Sequence, residues 1–256
     1  MDGSTNSEST ASDPSLAEEA GWTDAKREQR RQNALDEISP HYNPWVHLAI
    51  PSLGAISIIA TSLWLMRGFR WLDLIVVPLT YVLLNAGEWA VHKGLLHKRR
   101  PHFELLYDRH TPLHHMVFVT EDMSLRSWRE FRLVLMPAPA ILAAFLLALP
   151  LPALLLLVGQ WNMAMLCAAT LMFYMVSYEW LHLAYHLPPT TFIGRSRLIG
   201  VLRRHHATHH DPKLMRKWNF NVTVPIWDFV SGSIYKPVSS AAPEPEPDAQ
   251  HARSRS

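Results

Sequence analysis

Residues 161–187 read WNMAMLCAATLMFYMVSYEWLHLAYHL. The stretch is long and apolar enough to cross a bilayer as a helix, which needs about 20 such residues. Its last turns then place His182 and His186 four residues apart, and that spacing puts both imidazoles on one helix face. An apolar helix that ends in paired imidazoles predicts a membrane protein with a metal site at the lipid boundary. The rest of the chain is read from this unit.

Three further apolar stretches precede it. Residues 45–66 end at RGFR, and residues 71–92 begin directly after that turn, so the two predict a transmembrane hairpin. Residues 133–149 form a third span, broken by Pro150 and Pro152 and continued by apolar residues 151–158. The stretch 133–158 reads either as one crossing followed by a shallow apolar turn or as the start of a helix running into 161–187. Four crossings are the simplest count. An even number of them separates His92 from His182, so both span ends lie on one face of the membrane. The basic runs KREQRR, HKRRPH and RSRLIGVLRRHH place that face in the cytoplasm by the positive-inside rule.

The expected organisation is a disordered polar N-terminus over 1–40 with a short helix through 24–38, a membrane domain over 41–238, and a disordered Pro-rich tail over 239–256. The N-terminus has no apolar run of signal-peptide type. Of 256 residues, 48% are hydrophobic and 18% charged, with a net charge of +2 that gives no case for a nucleic-acid partner. The single cysteine, Cys167, excludes an intrachain disulfide and a Cys/Cys metal site.

Histidine is the anomaly, at 15 residues. Four of them, His41, His47, His102 and His251, stand apart and read as ordinary polar residues. The others fall in EWAVHKGLLH (His92, His97), RHTPLHH (His110, His114, His115), YEWLHLAYH (His182, His186) and RRHHATHH (His205, His206, His209, His210). The pairs four apart, 182/186, 110/114, 205/209 and 206/210, can each close on one ion. His92 and His97 are five apart and splay by about 140° on a regular helix, so a helix end at Gly94 is expected between them. The adjacent pairs 114/115 and 209/210 diverge by about 100° and suit two ions better than one. Ten or eleven imidazoles also exceed one ion's capacity. Two ions with four or five each would use them and leave room for a substrate. Imidazole suits Fe, Zn, Cu or Ni and does not choose among them. Glu88, four before His92, and Glu179, three before His182, are expected to accept the second ring N–H of a ligand histidine, with Asp211 as a weaker third candidate.

Taken together and in this order, the four motifs resemble the fatty acid hydroxylase/sterol desaturase superfamily of membrane di-iron enzymes. The chain gives His92-x4-His97, His110-x3-His114-His115, His182-x3-His186 and His206-x2-His209-His210, followed by NFNVTVPIWDFVSGS at 219–233, similar to that family's closing box. The resemblance covers roughly residues 70–235. It implies an all-α fold with about four transmembrane helices and a cytoplasmic histidine-rich cap. It implies ten metal ligands: His92, His97, His110, His114, His115, His182, His186, His206, His209 and His210. His206 alone completes the family's H-x2-HH form, and His205 remains a candidate extra ligand. The implied cofactor is two non-haem irons, with zinc as a substitute in purified protein and O2 as co-substrate. The catalytic group is the metal centre itself, with no separate side chain assigned.

The implied reaction is hydroxylation of a lipid C–H bond, with sterol- or carotenoid-type oxidation or desaturation as the alternative. No haem-type His-Pro-Gly-Gly motif is present, so electrons are expected from a separate ferredoxin, cytochrome b5 or reductase. The Ala/Arg/Pro-rich composition points to a bacterial inner membrane. A membrane zinc hydrolase lacks the expected HExxH here, and a metal carrier would place its ligands at mid-membrane.

Overall fold

A computed structural model describes residues 23–237. The expected disorder of the first 22 residues and of the Pro-rich tail lies outside this range. Among the described residues the secondary structure is helical, apart from one isolated bridge between Val119 and Asp122.

Helix α1, Asp24–Asp36, starts where the Thr23 hydroxyl accepts the Lys26 N–H. Its polar sequence reads as disorder or a short free helix. In the structure it is docked instead, because Arg31 is buried and reaches Glu130 at 2.7 Å. Arg31 is therefore a packed ion-pair partner and not one of the solvated charges that set topology.

Helix α2 spans Pro44–Trp64. The Asn43 side chain caps it, accepting from Trp45 N and Val46 N at 2.9 and 3.1 Å, and Pro44 fits the first turn because its missing N–H needs no partner there. A tight 3-10 turn at Trp71–Ile75 leads into α3, Val76–Val91. After the short α4, Glu104–Arg109, and α5, Phe131–Val134, comes the third apolar helix.

That helix differs from the span expected at 133–149. Residues 131–135 pack into the protein, with Leu133 and Val134 buried beside Phe118, and the chain is extended at Leu135 and Pro137. The crossing begins only at Ala138. It runs as α6, Ala138–Ala148, and α7, Pro150–Leu157, with a one-residue interruption at Leu149 that keeps helical dihedrals. Pro150 does not end the crossing, because at a first helical position its fixed φ is already suitable. Gly159 then turns the chain with φ +75°, and α8 begins separately. The crossing therefore ends before 161.

Helix α8, Trp161–His186, is central. It packs along both α2 and α3, and more than half of its 26 residues are buried, whereas α6 buries none of its 11. Four helical segments, Pro44–Trp64, Trp71–Leu96, Ala138–Leu157 and Trp161–His186, are long and apolar enough to cross a membrane. Their exposed Leu53, Leu147, Leu157 and Phe173 side chains form the apolar exterior that lipid would cover. At one end, Asn162 ties α8 to the 67–73 turn through Arg67 and Asp73. At the other end lie the histidines, α9 (Arg197–His209) and α10 (Ile226–Val230).

Candidate metal centre

Ten histidines converge at that end, all at most 7% exposed. They form two groups. His92, His97, His110, His115 and His209 bring one ring nitrogen each within 4.8 Å of one another, and His114, His182, His186, His206 and His210 do the same. That spread is close to the separation of about 4.2 Å that two ligands on opposite sides of one ion need at about 2.1 Å each. The adjacent pairs 114/115 and 209/210 divide between the groups, as their divergence on a helix requires.

The backbone accommodates the five-residue spacing without the helix end expected at Gly94. Residues His92–Leu96 form a π turn in which His97 N–H reaches His92 O at 3.2 Å. The extra residue in this wider turn rotates residues five apart onto one face, and the two rings stack with centroids 5.1 Å apart. A second π turn, His110–His114, does the same for His110 and His115. His110 thus joins His115, and His114 goes to the other group, so 110/114 is not a pair on one ion. The 182/186 and 206/210 pairs do share a group.

His205 belongs to neither group. Its Nε2 lies 3.1 Å from Asp228 Oδ2, so the 205/209 pairing and the candidate extra ligand are both set aside. His41, His47 and His102 also stand outside both groups, while His251 lies beyond the described residues.

The carboxylates expected to orient the imidazoles do other work. Glu88 accepts from Val222 N, from Thr223 N at 3.1 Å, from the Thr223 hydroxyl at 2.6 Å and from the Tyr174 hydroxyl. Among the described residues Glu179 accepts only from Met136 N, at 3.3 and 3.4 Å. Asp211 accepts from Lys213 N at 2.8 Å and caps a turn. Glu88, four residues before His92, shares its helix face, but its oxygens take the Val222 and Thr223 donors, and Glu179 and Asp211 likewise meet backbone N–H groups.

Backbone carbonyls orient the rings instead. Nδ1–H donates to Phe220 O from His92, to Leu133 O from His114 at 3.0 Å, and to Met123 O from His186 at 2.8 Å. His209 and His210 donate to Trp218 O and Phe118 O at 2.9 and 2.6 Å. His97 uses a hydroxyl. Thr111 donates its single proton to Leu96 O at 2.7 Å, so it accepts from His97 Nδ1–H at 3.1 Å. Sequence spacing carries no signal for carbonyl partners.

These bonds fix the tautomers. With Nδ1 protonated, each such ring presents an Nε2 lone pair, and the lone pairs face one another. In the first group His97 Nε2 and His209 Nε2, both on rings with Nδ1 protonated, are 2.9 Å apart; in the second His114 Nε2 lies 3.1 Å from His182 Nε2, whose Nδ1 has no hydrogen-bond partner among the described residues. His186 Nε2 is buried with no hydrogen-bond partner among the described residues. Burial first, and then mutual repulsion, pushes His97, His110, His114, His115, His206, His209 and His210 well below the ordinary imidazole value, which disfavours protonation of these rings. Buried lone pairs without donors are costly. A cation in each group removes that cost, so the residues fit a two-ion centre with nitrogen donors only.

The 219–233 segment locks this arrangement. Asn219 adopts φ +58° and receives Tyr235 N–H. Asp228 accepts from Phe220 N and Asn221 N at 2.9 and 2.7 Å and from Ser233 Oγ at 2.6 Å. Asn85 on α3 donates to Val224 O and accepts from Trp227 N. The segment therefore fastens α3 to the cap and delivers the Phe220 carbonyl to His92.

The fold and the donor set have a counterpart in one described family. The model of the fatty acid hydroxylase family matches residues 77–233, more than half of the chain and all ten clustered histidines. No curated protein and no solved structure matches it. With four helices able to cross a bilayer and paired histidine groups at their ends, this multi-pass membrane protein belongs to the fatty acid hydroxylase family.

Proposed function

We propose that the chain is a membrane di-iron oxygenase that hydroxylates a C–H bond of a lipid, using O2 and two electrons from a separate carrier. The observation that carries this reading is the pair of buried five-imidazole groups, with His97 and His209 turning Nε2 lone pairs toward each other, at the ends of apolar helices. Bound there, iron would supply the oxidising power that amino-acid side chains lack for an unactivated C–H bond. His92, His97, His110, His115 and His209 would hold one ion, and His114, His182, His186, His206 and His210 the other.

The chain's own residues set the conditions for that chemistry. The carbonyls of Phe220, Trp218, Leu133, Met123 and Phe118 hold the ring orientations. The buried cap excludes bulk water. An apolar groove of about 480 Å³, lined by Trp45, Trp128, Phe131, Trp180, Leu183 and Phe192, lies where α2 and α8 reach the cap and suits an acyl chain. The basic runs at this end support a cytoplasmic orientation and a docking face for an acidic electron carrier such as a ferredoxin.

Metal analysis of detergent-purified protein, with a His209→Ala control, tests the reading. About two irons per chain, reduced in the variant, together with a lipid gaining one oxygen by mass spectrometry, are expected. A single zinc, or lipids unchanged by an iron-loaded protein supplied with reductant and O2, overturns it.

A further inference from the structure

The metal cap and the spans leave unused a second cavity. It is half-open, holds about 270 Å³, and lies between α1, the start of α2, α4 and α5. Arg109 and Arg132 line it together with Tyr42, Ser39, Leu133 and, at the exposed rim, Glu37. Two guanidiniums in one half-buried cavity repel. Here Arg109 donates to Arg132 O at 2.6 Å, and neither forms an ion pair with a carboxylate among the described residues. Burial first, and then Arg132, pushes Arg109 down to about 10, which still leaves it charged at neutral pH.

Tyr42 is not a competing donor. His47 Nε2 faces Met136 O at 3.0 Å, an acceptor only, so Nε2 carries the proton and Nδ1 is a lone pair. The Tyr42 hydroxyl, 2.8 Å from that Nδ1, donates to it. Recognition in the cavity therefore falls to the two guanidiniums, whose forked donors match a phosphate or carboxylate.

The depth of the cavity is set by its neighbours. Trp45 and Trp128, with rings 5.2 Å apart, and Phe131, 5.4 Å from Trp45, cluster at the first turn of α2, and both tryptophans are exposed. Such aromatic groups sit at headgroup level, and Arg132 follows Phe131 directly. We propose that the cavity between Arg109 and Arg132 binds an oxyanion, the phosphate or carboxylate headgroup of an anionic lipid. This site is separate from the metal centre, although its Leu133 wall gives its carbonyl to His114.

The test is calorimetric titration of the full chain, as purified in detergent, with dihexanoyl phosphatidic acid, inorganic phosphate and dihexanoyl glycerol. The phosphatidic acid is expected to bind at least about tenfold more tightly than the uncharged glycerol lipid. Arg132→Gln is expected to remove at least about tenfold of that affinity, in line with the loss of a charge-assisted hydrogen bond. Its side chain makes no hydrogen bond among the described residues, so the scaffold does not depend on it, and an unchanged melting midpoint checks this. Arg109→Gln is expected to act in the same direction. Phosphate bound as tightly as the lipid, with the same dependence on Arg132, supports the oxyanion site and assigns it a free anion. Equal binding of the charged and uncharged lipids, no binding of either anion, or affinities that both variants leave unchanged overturns the proposal. The titration reads binding and not turnover, so its outcome is distinct from that of the metal and lipid-oxidation tests.

Discussion

Arg31 and Glu130 meet at 2.7 Å with their side chains 1% and 2% exposed. The Arg31 guanidinium also donates to Val117 O at 3.3 Å and lies 5.1 Å from the Phe118 ring. The loop it holds delivers Phe118 O to His210 and Met123 O to His186, both in the second group. Arg31→Met leaves Glu130 as a buried, unpaired charge, which costs about 3–5 kcal/mol. We expect a fall in melting midpoint and metal lost first from the second group, so that content drops from about two toward one per chain. Adding Glu130→Leu should recover most of the stability. An Arg31→Met protein with unchanged melting and full metal content would show that α1 is not part of the scaffold.

Glu88 accepts only from donors, so it works as a carboxylate acceptor and not as a partner of His92. Glu88→Gln turns one acceptor oxygen into an NH2 group facing those donors. The loss of one or two buried hydrogen bonds costs about 1–3 kcal/mol. The segment it anchors carries Phe220 O, and removing support behind a ligand typically weakens metal binding about 10–100-fold. Chelator competition should show that loss in the first group. Retention of wild-type metal affinity would mean that Glu88 holds the helix and not the centre.

His205 and His206 separate cleanly by their surroundings. His206 Nε2 lies 3.0 Å from His210 Nε2, while His205 faces Asp228. We expect His206→Ala to lose metal and His205→Ala to keep it, with a modest stability loss of about 1 kcal/mol from the broken Asp228 contact. Metal analysis of the two variants side by side decides this. Loss of metal from His205→Ala would move that residue into the centre.

What was legible in the sequence follows from what side-chain pattern encodes. Apolar length marks the crossings, and histidine spacing of three to five marks the helix ends that carry ligands. The division of 114 from 115 and of 209 from 210 follows from helical geometry alone. The partners of Nδ1 did not follow, because Phe220, Trp218 and Met123 contribute carbonyls that any residue type supplies. The π turns were hidden for a related reason. A spacing of five on a regular helix reads as divergence, and only an inserted residue in the backbone ladder reverses that. Residues 133–134 misled because burial under a cap and burial in lipid call for the same apolar side chains. Arg31 misled in the opposite sense, since a basic run at a membrane border resembles a topology signal until one member is seen paired and buried.

Gly94 offers a direct test of the π turn. A helix end at this position would call for the glycine itself, but it lies inside His92–Leu96, its φ is not in the left-handed region, and an added Cβ would meet nothing within 4 Å. Gly94→Ala should therefore be neutral or stabilise by up to about 1 kcal/mol, because glycine loses more conformational entropy on folding. Melting and metal content should both be at least as high as in the parent protein. A drop of several degrees would argue for a strained backbone at that position.

Acid should act on the metal-free protein through the same lone pairs. Seven cap histidines outside the spans have imidazole values pushed down by burial, so the folded state resists protonation where the unfolded chain accepts it. The unfolded chain binds more protons once the pH falls through the ordinary value of about 6.5. Stability is therefore fully present above that value and is lost as the pH falls below it, by up to about 1.4 kcal/mol per pH unit for each histidine that gains a proton on unfolding. Melting of chelator-treated protein should be flat between pH 7 and 8 and drop steeply from about pH 6.5 downward. With metal bound, the lone pairs are engaged and the drop should begin at lower pH. Identical profiles with and without metal would mean that the cations do not occupy these nitrogens.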